Sequence, residues 1–130
     1  MTNIVVDAYT WIHYCRDGKY AEIIETYLLK NTCFTSSITV AESVSKVLRE
    51  GESPRPLIEA IHALSQAVPF DEALAEETGR FHTSMRKKRK HFGLADAALY
   101  CTAKGLKARI LTNDHHFAEF KETILLEKEK

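Results

Sequence analysis

Short runs of β-branched and apolar residues recur along the chain, and between them lie longer stretches whose apolar positions return every three or four residues. The first pattern marks buried strands and the second marks amphipathic helices. Strands are expected at 3–6, 32–35, 67–70, 108–112 and 123–126. Pro69 cannot donate to a ladder, so the 67–70 strand belongs at a sheet edge. Helices are expected over 10–16, 20–30, 37–49, 54–65, 71–90 and 93–104. Gly18 separates the first two, and Ile23, Ile24, Tyr27 and Leu28 give the second a single apolar stripe. Ser37 or Thr39 can cap the third, whose stripe Val40, Val44, Val47 and Leu48 is expected to face the core. Gly51, Pro54 and Pro56 end it and begin the next. Asp71 opens the fifth, with Glu72, Glu76 and Glu77 toward the positive end of its dipole. Strands alternating with helices in this way imply parallel strands joined by crossovers, so the expected class is a three-layer α/β/α sandwich with a central parallel sheet.

Length bounds this picture: 130 residues bury one such core without disulfides or a structural metal, and a single domain over 1–130 is expected. No repeat, low-complexity tract or linker divides the chain. A 45% hydrophobic, 28% charged composition excludes a disordered chain. Eighteen basic and 18 acidic residues cancel, so attraction to nucleic acid must come from a local cluster of charge. Cys15, Cys33 and Cys101 are odd in number and widely spaced, which suits a reducing cytoplasm better than a disulfide framework or a zinc site. The apolar run at Ile4–Val6 stops at Asp7, too short for a leader or a membrane span.

In an open parallel sheet, function gathers beyond the carboxyl ends of the strands, so acids at strand exits are the residues to question. Asp7 follows Ile4, Val5 and Val6, and Asp114 follows Ile110 to Asn113. Each is equally suited to capping or turning the chain there. Asp96 sits among Gly93, Leu94, Ala95, Ala97 and Ala98, where burying an unpaired carboxylate costs several kcal/mol unless a cation or strong donors are supplied. Glu42 lies off the apolar stripe of its helix, and an i,i+4 pair with Lys46 is its simplest structural use. Taken jointly, carboxylates from separate βα units at one sheet edge repel one another, whereas Mg²⁺ or Mn²⁺ held by their oxygens makes the arrangement favourable. Such an ion acidifies water and neutralises phosphate charge, so phosphodiester hydrolysis needs no dedicated histidine base.

The segments Val5-Val6-Asp7, Thr39-Val40-Ala41-Glu42, Gly93-Leu94-Ala95-Asp96-Ala97-Ala98 and Leu111-Thr112-Asn113-Asp114 resemble, in order and spacing, the four acidic motifs of PIN-domain nucleases, especially the VapC-type toxin ribonucleases. The resemblance covers almost the whole chain. It implies a PIN-like fold and an endoribonuclease with Asp7, Glu42, Asp96 and Asp114 at its metal site and Thr112 hydrogen-bonded near the fourth acid. It also implies a small antitoxin protein as partner and a homodimer. An RNA-processing or quality-control nuclease outside any toxin pair, and a binding module with lost catalysis, are the alternative roles. One departure stands out: Ala8 occupies the place where many members carry Ser or Thr and cannot supply that hydroxyl, leaving Thr10 as the candidate substitute.

The basic run Arg86, Lys87, Lys88, Arg89, Lys90 precedes the Asp96 helix and can track RNA phosphates beside the site, or merely end a solvated helix. His115 and His116 lie next to Asp114, but adjacent side chains point apart and no Cys or third His is spaced to complete a zinc site. His13, His62, His82 and His91 are expected at the surface or in packing, and Tyr9, Trp11, Tyr14 and Tyr20 in the core or an interface. A haloacid-dehalogenase-type phosphatase would need a second Asp where Tyr9 stands, and a receiver domain would need paired acids at the first strand and a lysine on the last.

Overall fold

The computed structural model describes residues 2–129. Five strands, β1 (Asn3–Val6), β2 (Thr32–Ser36), β3 (Gln66–Val68), β4 (Arg109–Thr112) and β5 (Thr123–Leu125), form one sheet in the order β3-β2-β1-β4-β5. Every pairing is parallel. The helices are α1 (Ala8–Cys15), α2 (Ala21–Lys30), α3 (Ser37–Arg49), α4 (Arg55–Leu64), α5 (Glu72–Arg86) and α6 (Leu94–Gly105). The expected α/β/α sandwich is what forms.

Alternation along β1 explains the layers. Ile4 and Val6 point to one face and pack with Trp11, Ile12, Ile24, Leu28, Val47, Leu57 and Ile61 from α1 to α4. Val5 points to the other and meets Leu99, Ala103, Ile110 and Phe117. All three are at most 1% exposed, as a central strand covered on both sides requires. On the second face an aromatic cluster of Phe81, Phe92, Tyr100, Phe117 and Phe120 fills the angle between α5, α6 and the segment after β4.

Chain order places the crevice. The chain steps from β1 outward to β3, then returns to β4 on the other side of β1 and continues outward to β5. The carboxyl ends of β1 and β4 therefore flank the point where the winding reverses, the usual ligand crevice of such sheets.

Several expected boundaries shift, each for a local reason. α1 begins at Ala8, two residues early, because Asp7 caps it. α3 is capped by Ser36, whose Oγ accepts the Ile38 N–H at 3.2 Å, and not by Ser37 or Thr39. Ser37 instead donates to the Val68 carbonyl and accepts the Phe70 N–H, tying the start of α3 to the edge strand. That edge strand ends before Pro69, starting one residue and ending two residues earlier than expected. Leu48 is 56% exposed, so the buried stripe of α3 is Thr39, Ser43 and Val47, with Val40 and Val44 partly covered. Helix α5 stops at Arg86, leaving residues 87–90 in turns beyond it. Trp11 and Tyr20 are core, whereas Tyr9 is 42% exposed. His13 is a packing residue: its Nε2 accepts the Tyr20 N–H at 3.1 Å.

Candidate metal centre

Asp7 enters the crevice directly after β1 and is buried. Its Oδ1 accepts the Thr10 N–H at 2.8 Å, and its Oδ2 accepts the Thr112 hydroxyl. Helix cap and crevice carboxylate are thus one residue's two roles. Thr112 Oγ1 in turn accepts the Asp114 N–H at 2.9 Å, so a single buried hydroxyl ties the first acid to the fourth. Burial pushes the Asp7 carboxyl from its ordinary 3.8 up to about 6; the Asp114 charge adds to the rise, while hydrogen bonds from Thr112 and Thr10 oppose it. The hydroxyl hydrogen of Thr10 goes to the Leu111 carbonyl at 2.9 Å, pinning α1 to β4. Thr10 therefore does not replace the hydroxyl that Ala8 lacks.

Glu42 reaches the same crevice from the second turn of α3. Its side chain touches solvent, yet partial burial of the carboxyl raises its pKa, and the charges of Asp7, Asp96 and Asp114 raise it further. The four acids singled out in the sequence are therefore electrostatic neighbours. The pairing of Glu42 with Lys46 does not form: Lys46 Nζ lies 3.2 Å from Glu50, and Glu42 has no ion pair among the described residues.

Asp96 stands in the first turn of α6, where its Oδ2 accepts the Gly93 N–H at 2.9 Å. Buried Ala97 and Ala98 hold that turn close to the sheet. The same Oδ2 lies 3.1 Å from His116 Nδ1. Asp114 Oδ1 accepts the His116 N–H at 2.8 Å and lies 3.5 Å from Nδ1. Donor atoms of Asp96, Asp114 and His116 all fall within 4.8 Å of one another.

His116 is the residue that sequence reasoning missed. The two histidines do point apart, His115 toward Glu127 at 3.0 Å, and for that very reason His116 turns into the acids. Its place two residues after Asp114, in a tight turn that Asp114 itself caps, was the available signal.

The basic run divides. Arg89 hydrogen-bonds the His116 carbonyl at 2.9 Å, pairs with Glu119 and lies over the Phe120 ring at 5.2 Å. Part of its charge is met by Glu119 at the surface, and it binds the 87–90 turns to the loop after Asp114. Arg86, Lys87, Lys88 and Lys90 remain exposed beside the rim.

A hard divalent ion fits this donor set. Carboxylates that raise one another's pKa gain from shared positive charge, and Mg²⁺ or Mn²⁺ takes oxygen ligands in such numbers. The PIN domain family model matches residues 4–122, and the chain belongs to that family. Its fold is similar to VapBC2 from Rickettsia felis bound to a promoter DNA fragment, with TM-score 0.74, 18% identity, and coverage of 95% of this chain and 96% of that one. DNA-bound VapBC from Salmonella typhimurium gives 0.74 at 18% identity, covering 96% and 97%. VapC20 from Mycobacterium tuberculosis, a toxin that cleaves the sarcin-ricin loop, gives 0.69 at 16% identity, covering 92% and 97%. At these identities the likeness is one of fold. Among curated proteins, none matches this chain in sequence.

Proposed function

We propose that this chain is a Mg²⁺- or Mn²⁺-dependent endoribonuclease, the toxin of a type II toxin–antitoxin pair, acting as a single domain in the cytoplasm. The observation that carries the reading is geometric: the Thr112 hydroxyl ties the Asp7 carboxylate to the Asp114 N–H, donor atoms of Asp96 and Asp114 fall within 4.8 Å of each other, and Glu42 faces the same charges. Asp7, Glu42, Asp96 and Asp114 would hold the ion. When bound, it supplies positive charge for a phosphate oxygen and acidifies water, the chemistry that hydrolyses a phosphodiester to a 5′-phosphate and a 3′-hydroxyl. Thr112 is a positioning residue: it fixes the Asp7 carboxylate relative to the Asp114 backbone.

RNA as substrate is supported by family membership and by the RNA-cleaving relative among its structural neighbours. Hydrolysis of this kind does not use the 2′-hydroxyl, so the chemistry alone accepts single-stranded DNA too. An antitoxin partner is supported by the VapBC complexes among those neighbours. A homodimer remains part of this reading through the family resemblance; an apolar groove of about 400 Å³ beside the site is lined by Ile38, Phe70, Gly79 and exposed Leu94. A cytoplasmic setting accords with three free cysteines and with the lack, among the described residues, of any helix long and apolar enough to cross a membrane.

Labelled structured and single-stranded RNA, incubated with wild type and Asp96→Asn, tests the reading. Cleavage by the wild type with Mn²⁺ or Mg²⁺, abolished by chelator and by the substitution, is expected. Equal cleavage by both proteins would contradict it.

Neutralising Arg86, Lys87, Lys88 and Lys90 together should weaken RNA binding and lower the slope of log affinity against log salt by up to about 3. The melting temperature should hold, because these side chains are exposed. Arg89→Ala, which loses the Glu119 pair and the Phe120 contact, should instead melt earlier. An unchanged salt slope in the four-residue variant would make the run a solvated turn.

A further inference from the structure

We infer that His116 is an ion-selecting ligand, its Nδ1 joining Asp96 and Asp114 around the divalent ion to give a mixed nitrogen and oxygen donor set that prefers Mn²⁺ to Mg²⁺. The inference rests on the proposed reading of the acidic crevice as a metal centre.

Three observations support it. The first is spacing: His116 Nδ1 lies 3.1 Å from Asp96 Oδ2 and 3.5 Å from Asp114 Oδ1. Neighbouring donors on an octahedral ion with bonds of about 2.1 Å are about 3.0 Å apart, so the imidazole stands one ligand edge from each carboxylate. The second is anchorage. The His116 N–H is held by Asp114 Oδ1 at 2.8 Å, its carbonyl by Arg89 Nη1 at 2.9 Å, and the next residue, Phe117, is 1% exposed. The imidazole thus projects from a backbone fixed on both sides, and its position does not depend on the ion. The third is division of labour between neighbours, since His115 is turned away to Glu127 and leaves one nitrogen donor in the set.

Chemistry then sets the preference. Mg²⁺ keeps oxygen ligands and waters, whereas imidazole suits the later divalent ions, toward which Mn²⁺ is the first step. In the contact with Asp96 the proton sits on Nδ1; to bind the ion the neutral ring carries its proton on Nε2 instead, and the freed Nδ1 lone pair takes the place of that hydrogen bond without another side chain having to move.

Pulsed EPR of Mn²⁺ bound to the full chain reads the ligand directly. Wild type and His115→Ala should show coupling to a directly bound ¹⁴N nucleus, and His116→Ala should lack it. Calorimetric Mn²⁺ affinity should fall on the order of 10- to 100-fold in His116→Ala, with a smaller loss for Mg²⁺. The His116 side chain is 46% exposed, so this variant should keep the wild-type melting temperature without metal. Mn²⁺ bound without nitrogen coupling, with an unchanged Mn²⁺ to Mg²⁺ ratio in His116→Ala, would overturn the inference and leave the metal centre standing. Failure of the wild type to bind Mn²⁺ at all would overturn both.

Discussion

Asp7→Asn should reduce RNA cleavage by on the order of 10³-fold or more while making the metal-free protein harder to melt. Removing one carboxylate from the ion's donor set forfeits several kcal/mol of transition-state charge stabilisation, and each 1.36 kcal/mol is a factor of about ten. The stability gain follows from burial. The folded protein holds the Asp7 proton up to about pH 6 against an ordinary 3.8, so the folded state binds that proton more tightly than the unfolded chain does. Ionising Asp7 at pH 7 therefore costs the fold up to about 3 kcal/mol. This stability is fully present below about pH 3.8 and is lost as pH rises through about 6. Asparagine keeps an oxygen for the Thr10 N–H and carries no charge, but its amide nitrogen cannot accept the Thr112 hydroxyl, which offsets about 1 kcal/mol or more of the gain; the variant should still melt higher than wild type at pH 7 and lose the advantage near pH 4. Adding Mn²⁺ should reverse the order, because only the wild type gains binding energy. A variant that melts below the metal-free wild type at pH 7 would show that Asp7 is retained for the fold.

Phe92→Ala should be the most damaging single change away from the acids. Phe92 is 1% exposed and meets Phe81, Phe117 and Phe120 edge-on at 5.9, 6.2 and 6.1 Å. Truncating such a ring costs about 3–5 kcal/mol, a large part of the 5–15 kcal/mol typical of a domain. Its position makes the loss functional as well. Gly93, the next residue, caps α6 and donates its N–H to Asp96 Oδ2, while Phe117 follows His116 on the fourth motif. The cluster is the wedge that sets α6 against the loop after β4, so Mn²⁺ affinity should fall together with the urea midpoint. Phe92→Leu, which keeps most of the volume, should retain much of both. A Phe92→Ala midpoint within about 1 kcal/mol of wild type would mean that the two acidic segments are positioned by something else.

The strands, the helices and the acids were legible because each has a local signature. Continuous apolar runs such as Ile4–Val6 mark a strand buried on both faces, and Pro69 correctly marked an edge. Asp96 stood out because its neighbours are alanines. What sequence could not supply was the direction of individual side chains. Leu48 continued an apolar stripe on paper but lies at the end of α3, past the area its partners cover. Arg89 looked like its basic neighbours, yet a contact 30 residues away, Glu119, meets part of its charge. His116 was hidden by the pairing with His115, since which of two adjacent rings faces the acids is decided by the turn and not by composition. Asp7 was weighed as cap or ligand when the carboxylate has oxygens enough for both.

Crystals grown with MnCl₂ and measured at the manganese edge locate the ion directly. One anomalous peak should lie in the crevice, with carboxylate oxygens of Asp7, Glu42, Asp96 and Asp114 either bound to it or one water away. Manganese elsewhere on the surface, with these four carboxylates unliganded, would contradict a metal-dependent nuclease.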